Sequence, residues 1–304
     1  MKIFVSGSLA YDRIMDFPGR FAEHLNPRKL HLINLSFAAK SLKLSFGGTA
    51  GNIGYSLALL KHRACLIGNL GADGKDYLAR LHRLGLDTSH IRLISSAQTA
   101  GAYIITDRDD NQITAFFAGA MNHHSKLPKS GRDDLAIVSA DASQNIMAQV
   151  AHFRKTHTPY VFDPGQQITA LSTNGLARAI RGAKVVIGND YEMDLLVKRA
   201  RFRPKSDQVV VTTLGARGSV IKTVNKMFSI PPVRPKKVVD PTGAGDAYRA
   251  GLLSGISRGW DWPKSGRLAS LVAAFAVQYY GTQKHRFNWR GILKSYKKNF
   301  GESL

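Results

Sequence analysis

The chain has 304 residues, 44% of them hydrophobic and 21% charged, with one cysteine, Cys65. That length can bury a sizeable core as one large α/β domain or two smaller ones, and a single cysteine excludes an internal disulfide framework or a four-cysteine zinc site. The formal net charge is +22, from 43 Lys and Arg against 21 Asp and Glu. Such an excess suits attraction of nucleic acid or of phosphorylated ligands, or it reflects a proteome-wide bias with no specific partner. Basic residues recur along the whole chain, with no separate basic arm, RNP-like aromatic motif or zinc-finger spacing, so no specific nucleic-acid partner is expected. Asp12 arrives before a signal-peptide core is complete, and no stretch reaches the length of about 18 apolar residues that a membrane span needs. The expectation is a soluble, cytoplasmic protein in a reducing compartment, with no membrane partner.

In chain order, KIFVSGS reads as a buried first strand, followed by short alternating stretches that include 43–46. The segment from Thr49 to about His62 reads as a helix, with Ile53, Leu57 and Leu60 on one face. ACLIGNLG reads as a strand and GKDYLARLHRLG as a helix ended by Gly85. AGAYIITD and NQITAFFAG, joined by the polar turn 108–111, predict a β-hairpin with one face exposed. From about residue 134, the apolar runs LAIVSA, YVFDPG, KVVIGN and QVVVTTLG are separated in part by helical segments such as YEMDLLVKRA. Continuous apolar strands alternating with helices predict a mostly parallel sheet covered on both faces. Lys236 to Asp240 reads as one more strand, Leu268 to Tyr280 as a helix, and Trp289 to Phe300 as a basic amphipathic helix.

Ligands of open α/β sheets bind at the carboxyl ends of strands, so four strand-end clusters are candidates. The first is DPTGAGDAYRAG at 240–251. Its small residues let backbone amides approach an anion, and an aspartate at the helix N-terminus is either a simple cap or part of a site. The second is Gly188 to Glu192, where Asn189 and Glu192 form either a capping box or a set of oxygen ligands for hydrated Mg²⁺. The third is Thr213, Gly215 and Gly218, a glycine turn that frames a nucleotide or merely turns the chain. The fourth joins Asp12 with Gly47, Gly48, Gly51 and Asn52, which offer carboxylate and amide groups to sugar hydroxyls. No Walker loop is available: Gly74-Lys75 is followed by Asp76, with Asn69 at the leading glycine position.

These clusters, in this order, resemble the ribokinase-like (PfkB) carbohydrate and nucleoside kinases over essentially the whole chain. The resemblance implies a single α/β domain over 1–304: a mostly parallel central sheet flanked by helices, with a small β-sheet lid at roughly 12–46 and 98–119. It matches Asp246 to the base that takes the acceptor proton, and Gly243, Ala244 and Gly245 to the anion hole around the transferring phosphoryl group. Asn189 and Glu192 match the motif that organises Mg²⁺ through water. Thr213, Gly215 and Gly218 match the ATP loop, and Asp12, Gly48 and Asn52 the sugar contacts. Asp240 matches a loop that binds a monovalent cation such as K⁺ through its backbone. Phe162 to Gln167, with Gln166 as a substrate contact, and Gly281 to Phe287 look most like the adenosine and nucleoside kinase branch. The implied reaction is transfer from ATP to the 5′-hydroxyl of a nucleoside, adenosine first, by a monomer or homodimer. A free sugar such as ribose or fructose is the alternative acceptor, and a non-catalytic basic nucleic-acid binder the second alternative. Ala10, where sugar-specific members often carry Asn, departs from the ribose pattern. A helix N-terminus is expected to keep Asp246 ionised and thus a weak base. Phe116 and Phe117 are read as packing within the hairpin core or on a base, His123-His124 as a surface loop and Cys65 as a core residue.

Overall fold

The computed structural model describes residues 1–25, 34–109 and 111–304. In chain order the elements are β1 (Ile3–Ser6), β2 (Ala10–Asp16), α1 (Phe21–His24), β3 (Ser41–Gly47), α2 (Thr49–Leu59), β4 (Cys65–Gly71) and α3 (Lys75–Arg83). Then follow β5 (Asp87–Ile94), β6 (Ala100–Thr106), β7 (Gln112–Phe117), β8 (Leu135–Val138), α4 (Ser143–Lys155), β9 (Tyr160–Phe162) and α5 (Thr173–Gly182). The last are β10 (Val185–Asn189), α6 (Asp190–Ala200), β11 (Val209–Thr213), β12 (Ser219–Lys222), β13 (Met227–Ile230), α7 (Ala244–Ser257), α8 (Trp262–Ala276) and α9 (Trp289–Phe300).

Among the described residues, nine strands form one sheet in the order β13-β12-β11-β10-β9-β8-β1-β4-β5. All neighbours are parallel except the β11–β12–β13 edge, which is antiparallel. The continuous apolar runs are buried because both faces are covered. Val5, Ile137, Ile187 and Val211 pack into a core shared with α2, α3, α7 and α8, whereas their neighbours Phe4, Val138, Val186 and Val210 pack into one shared with α4, α5 and α6. One step along a strand therefore moves a side chain between the two cores. The helix at the chain end, α9, buries Ile292 and Tyr296 against α8, as a packed amphipathic helix does.

The second sheet has four strands in the order β3-β2-β6-β7. It contains the expected hairpin, whose register pairs Ala102 with Phe116 and Ile105 with Ile113. Parts of the expected small-sheet segments, residues 26–33 and Asp110 of the hairpin turn, lie outside the described residues. Phe116 and Phe117 do not pack in a hairpin core: both are about half exposed, at 53% and 50%. All six residues of β7, the edge strand of this sheet, are exposed, so among the described residues neither of its faces is covered.

Two expected elements differ. Lys236 to Asp240 is not a strand, because Pro231, Pro232 and Pro235 precede it and break any ladder, leaving Val238 70% exposed. The amides of Val239 and Asp240 both turn to the Val277 carbonyl instead. The helix expected from Leu268 begins earlier, at Trp262, because Asp261 caps it and Pro263 sits in its first turn; it ends at Ala276 rather than Tyr280.

Candidate active site

From β1 the chain moves outward to β4 and β5 on one side, then returns to β8 on the other and steps on to β11. Strand order thus reverses between β1 and β8, and the crevice beyond their carboxyl ends is where such sheets bind ligands. There Ser8 donates its N–H to the Ala140 carbonyl at 2.9 Å, and both residues line a cleft of about 700 Å³. The cleft also gathers Asp12, Gly48, Asn52, Gln166, Asn189, Glu192, Thr213, Gly215, Gly243, Gly245 and Asp246 from six separate segments of sequence. Ala244, Gly218 and Asp240 lie beside this lining rather than in it.

The 240–251 signature folds as a loop and the start of α7. Gly243 is the N-cap, with φ of +78°, a conformation glycine adopts without cost. Ala244 donates its N–H to Pro241 O at 3.1 Å, and the Ala247 N–H reaches Gly243 O at 2.9 Å. The helix rule leaves the first amides without intrahelical partners. With Ala244 committed to Pro241, the amides open to an anion are those of Gly243, Gly245 and Asp246. Asp240 supports the loop: its two carboxylate oxygens accept the amides of Thr242 and Gly281, both at 2.8 Å.

Asp246 is not a cap. It is the third residue of α7, and its carboxylate instead accepts Asn52 Nδ2 at 2.8 Å. The Asn52 amide is held by its other end, since Gln283 Nε2 donates to Asn52 Oδ1 at 3.1 Å and to the Tyr77 hydroxyl at 2.6 Å. Tyr77 in turn donates to Gly47 O. Nor is Asp246 held firmly ionised by the helix: burial pushes its pKa up to about 7, with Arg249 and Asn52 opposing and Asp163 and Asp12 adding to the rise. Desolvation outweighs the helix dipole, and the nearby carboxylates of Asp163 and Asp12 add to it. Burial also raises Asp12, opposed by the Thr282 hydroxyl and reinforced by Asp240.

At the end of β10, Asn189 and Glu192 form a full capping box: Asn189 Oδ1 accepts the Glu192 amide and Glu192 Oε2 accepts the Asn189 amide, both at 2.8 Å. Capping and cleft-lining coexist, because each residue still borders the cavity. At the end of β11, Gly215 and Gly218 take φ of +58° and +87°, and Leu214 donates to Gly218 O at 2.8 Å. Gly48 caps α2 with φ of +84°, and a Cβ there would lie 2.5 Å from the Ser8 carbonyl oxygen.

Residues that sequence reasoning left without a role also line the cleft: Ser8, Met121, Asp163 and Arg249. Arg249 was visible inside the 240–251 signature as the one charged position on an otherwise apolar helix face, with Ala247, Tyr248, Ala250 and Leu252 all buried. Among the described residues four carboxylates line the cleft, Asp12, Asp163, Glu192 and Asp246, against a single cationic residue, Arg249. Among the described residues no group of three or more His, Cys, Asp or Glu is placed to hold a metal ion by itself.

A two-sheet α/β architecture with a polar cleft at the strand-order reversal, a helix N-terminus with open amides and a partly buried carboxylate beside it defines a ribokinase-like kinase fold. The pfkB family carbohydrate kinase pattern matches residues 9–287, and the chain belongs to that family. It is 33% identical over 284 residues to the nucleoside kinase of Methanothermobacter thermautotrophicus, covering 88% of this chain and 90% of that one. The nucleoside kinase of Methanocaldococcus jannaschii is 30% identical over 283 residues, covering 90% and 93% of the two chains. The Burkholderia thailandensis nucleoside kinase, solved in complex with inosine, aligns with a TM-score of 0.89 at 36% identity, covering 99% of this chain and 100% of that one. Among the described residues no helix is long and apolar enough to cross a membrane.

Proposed function

We infer that this protein is an ATP-dependent nucleoside kinase that phosphorylates the 5′-hydroxyl of a purine nucleoside, adenosine or inosine. The observation that carries the reading is Asp246, a partly buried carboxylate in the first turn of a helix whose first amides are open, lining the same cleft as Asp12. The nucleoside kinase relatives, and the inosine held by the Burkholderia enzyme, support a nucleoside over a free sugar. Half-exposed Phe116 and buried Met121 line the same cleft and offer an apolar surface for a base.

In this reading Asp12 accepts ribose hydroxyls, while Gly48, close against the Ser8 backbone, holds the turn that brings them near. Gln166 borders the acceptor end, and Thr213, Gly215 and Gly218 shape the nucleotide end. The acceptor oxygen attacks the γ-phosphorus, the bond from that phosphorus to the β,γ-bridging oxygen breaks, ADP leaves, and the acceptor proton passes to Asp246. A carboxylate with a pKa near 7 takes that proton far better than an ordinary aspartate. Open amides of Gly243 and Gly245 meet the charge on the transferring group, where positioned dipoles matter more than covalent chemistry.

Four carboxylates against one arginine among the described residues make the cleft hostile to a polyphosphate unless a cation accompanies it. The donor set fits Mg²⁺: Asn189 and Glu192 would hold it through water, and Mg²⁺ bound to phosphates with one or two carboxylates needs no all-protein cage. When bound, it would neutralise phosphate charge. A void of about 10 Å³ bordered by Thr242, Gly243, Gly281 and Thr282 lies beside the Asp240 loop, the place proposed for a monovalent cation. The small sheet that carries Asp12 and Phe116 is the proposed lid. The test is an acceptor panel at equal concentration with MgATP: adenosine, inosine, ribose and fructose. Turnover of the nucleosides well above the sugars is expected, and preference for a free sugar overturns the reading.

A further inference from the structure

Arg249 is 7% exposed, one turn beyond Asp246 on α7. Long side chains on a helix lean toward its N-terminus, and this one does: Nη1 lies 2.9 Å from where a Cβ on Gly245 would be. Its Nη2 donates to Asp163 Oδ1 at 2.5 Å and lies 3.9 Å from Glu192 Oε2. Asp163 is itself held, since its other oxygen accepts the Ser139 hydroxyl at 2.9 Å. Nε is buried without a hydrogen-bond partner, whereas Nη1, which has no partner among the described residues either, is not enclosed and belongs to a residue lining the cleft.

One edge of the guanidinium is therefore anchored and the other is presented beside Gly245. Anchoring Arg249 to a buried carboxylate costs desolvation of both charges, and plain hydrophobic residues of similar volume would hold two packed segments at least as well. A guanidinium fixed on one side and open on the other is the arrangement suited to recognising phosphoryl oxygens.

We propose that Arg249 is a catalytic residue of this cleft: its Nη1 binds a non-bridging oxygen of the transferring phosphoryl group beside the Gly243 and Gly245 amides, with Asp163 as the positioning residue that aims it. The proposal rests on the kinase reading above. It also gives a role to Asp163 of the Phe162 to Gln167 segment, which lines the cleft and pairs with Arg249. The close approach agrees: a Cβ at 245 would lie 2.9 Å from Nη1, so glycine there lets the guanidinium lie against the start of α7.

The experiment compares wild type, Arg249→Gln, Arg249→Lys and the Asp163→Asn/Arg249→Gln pair, which removes both charges and leaves neither buried alone. Steady-state turnover of adenosine with MgATP is measured, together with calorimetric affinities for ADP and for the non-hydrolysable triphosphate AMPPNP, and melting curves confirm folding. Arg249→Gln and the pair are expected to lose about 100-fold or more in kcat, as removal of an oxyanion donor does. Their preference for AMPPNP over ADP shrinks while adenosine affinity holds, and Arg249→Lys recovers part of kcat. Turnover within about threefold of wild type in either folded glutamine variant overturns the proposal, since a phosphoryl contact is worth more than that. Equal loss of ADP and AMPPNP affinity also overturns it, because that marks an arginine that only holds the fold. Absence of wild-type turnover with adenosine and inosine defeats the nucleoside-kinase reading instead, and the AMPPNP-to-ADP comparison still decides the role of Arg249.

Discussion

Asp246→Asn is expected to abolish most activity and, above neutral pH, to stabilise the protein. In the unfolded chain Asp246 ionises near the ordinary value of 3.8, whereas in the folded protein it does so at about 7. Between those values the folded state holds a proton that the unfolded state has lost, so stability falls as pH rises from about 4 to about 7 and stays lowered above it. Three pKa units correspond to roughly 4 kcal/mol. The asparagine keeps an acceptor for Asn52 Nδ2 but gives up the attraction of Arg249, so the variant recovers only part of this, on the order of 1–3 kcal/mol at pH 8. At about 2 °C of melting temperature per kcal/mol for a chain of this size, the variant should melt several degrees above wild type at pH 8 and close to it at pH 5. Thermal melts across that range, with kcat measured in parallel, are the assay. Turnover should drop by about 100- to 10,000-fold with ATP binding retained. In wild type, kcat/KM should rise with pH around an apparent pKa near 7, because the base acts only when ionised. A melting difference that does not grow with pH refutes the burial argument, and a near-normal rate in the variant refutes the assignment of the base.

Gly48→Ala should cost about 1–3 kcal/mol, because φ is +84° and the new Cβ meets the Ser8 carbonyl; a lowered melting temperature with a raised acceptor KM checks it. Glu192→Gln keeps an acceptor for the capping box but removes a charge beside the nucleotide end, so the Mg²⁺ concentration giving half-maximal rate should rise about tenfold in a metal titration. Chelation of Mg²⁺ by excess EDTA should stop turnover of wild type and restore it on readdition. His285 is buried against Tyr55 and the Ser56 hydroxyl, and burial pushes its pKa down to about 4. The unfolded chain protonates it below about 6.5, so stability is lost as pH falls from there toward 4, by up to about 3 kcal/mol. His285→Gln should flatten that stretch of the melting-temperature profile, and an unchanged slope would remove His285 as the cause.

Much of the architecture was legible because it rests on periodicity. Continuous Val and Ile runs such as KVVIGN and QVVVTT can only be covered on both faces; NQITAFFAG, read as a strand with one face exposed, forms the edge of the small sheet with all six of its strand residues exposed. Glycines with positive φ were legible for the same local reason, as Gly85, Gly215 and Gly243 show. Lys236 to Asp240 misled because Val238 and Val239 look like a strand, while its hydrogen-bond partner, Val277, lies 38 residues or so further on, beyond the reach of any local pattern. Asp246 misled in another way: a helix start is a local feature, but the burial that governs its proton comes from α2, the β9 turn and the Gly281 segment.

The order of the motifs along the chain was enough to identify the family and to name most residues of the cleft, since each motif is a short backbone geometry that its own residues dictate. Only the tertiary structure decided what those residues do to one another. It placed Asn52 and Gln283, 231 residues apart, in one hydrogen-bonded line to Asp246. It likewise set Arg249 against Asp163, 86 residues away, in the cleft that also holds Asp12, Glu192 and Asp246. Charge, burial and aim at a site are sums over every segment that converges there, and convergence is not a property of any one stretch of sequence.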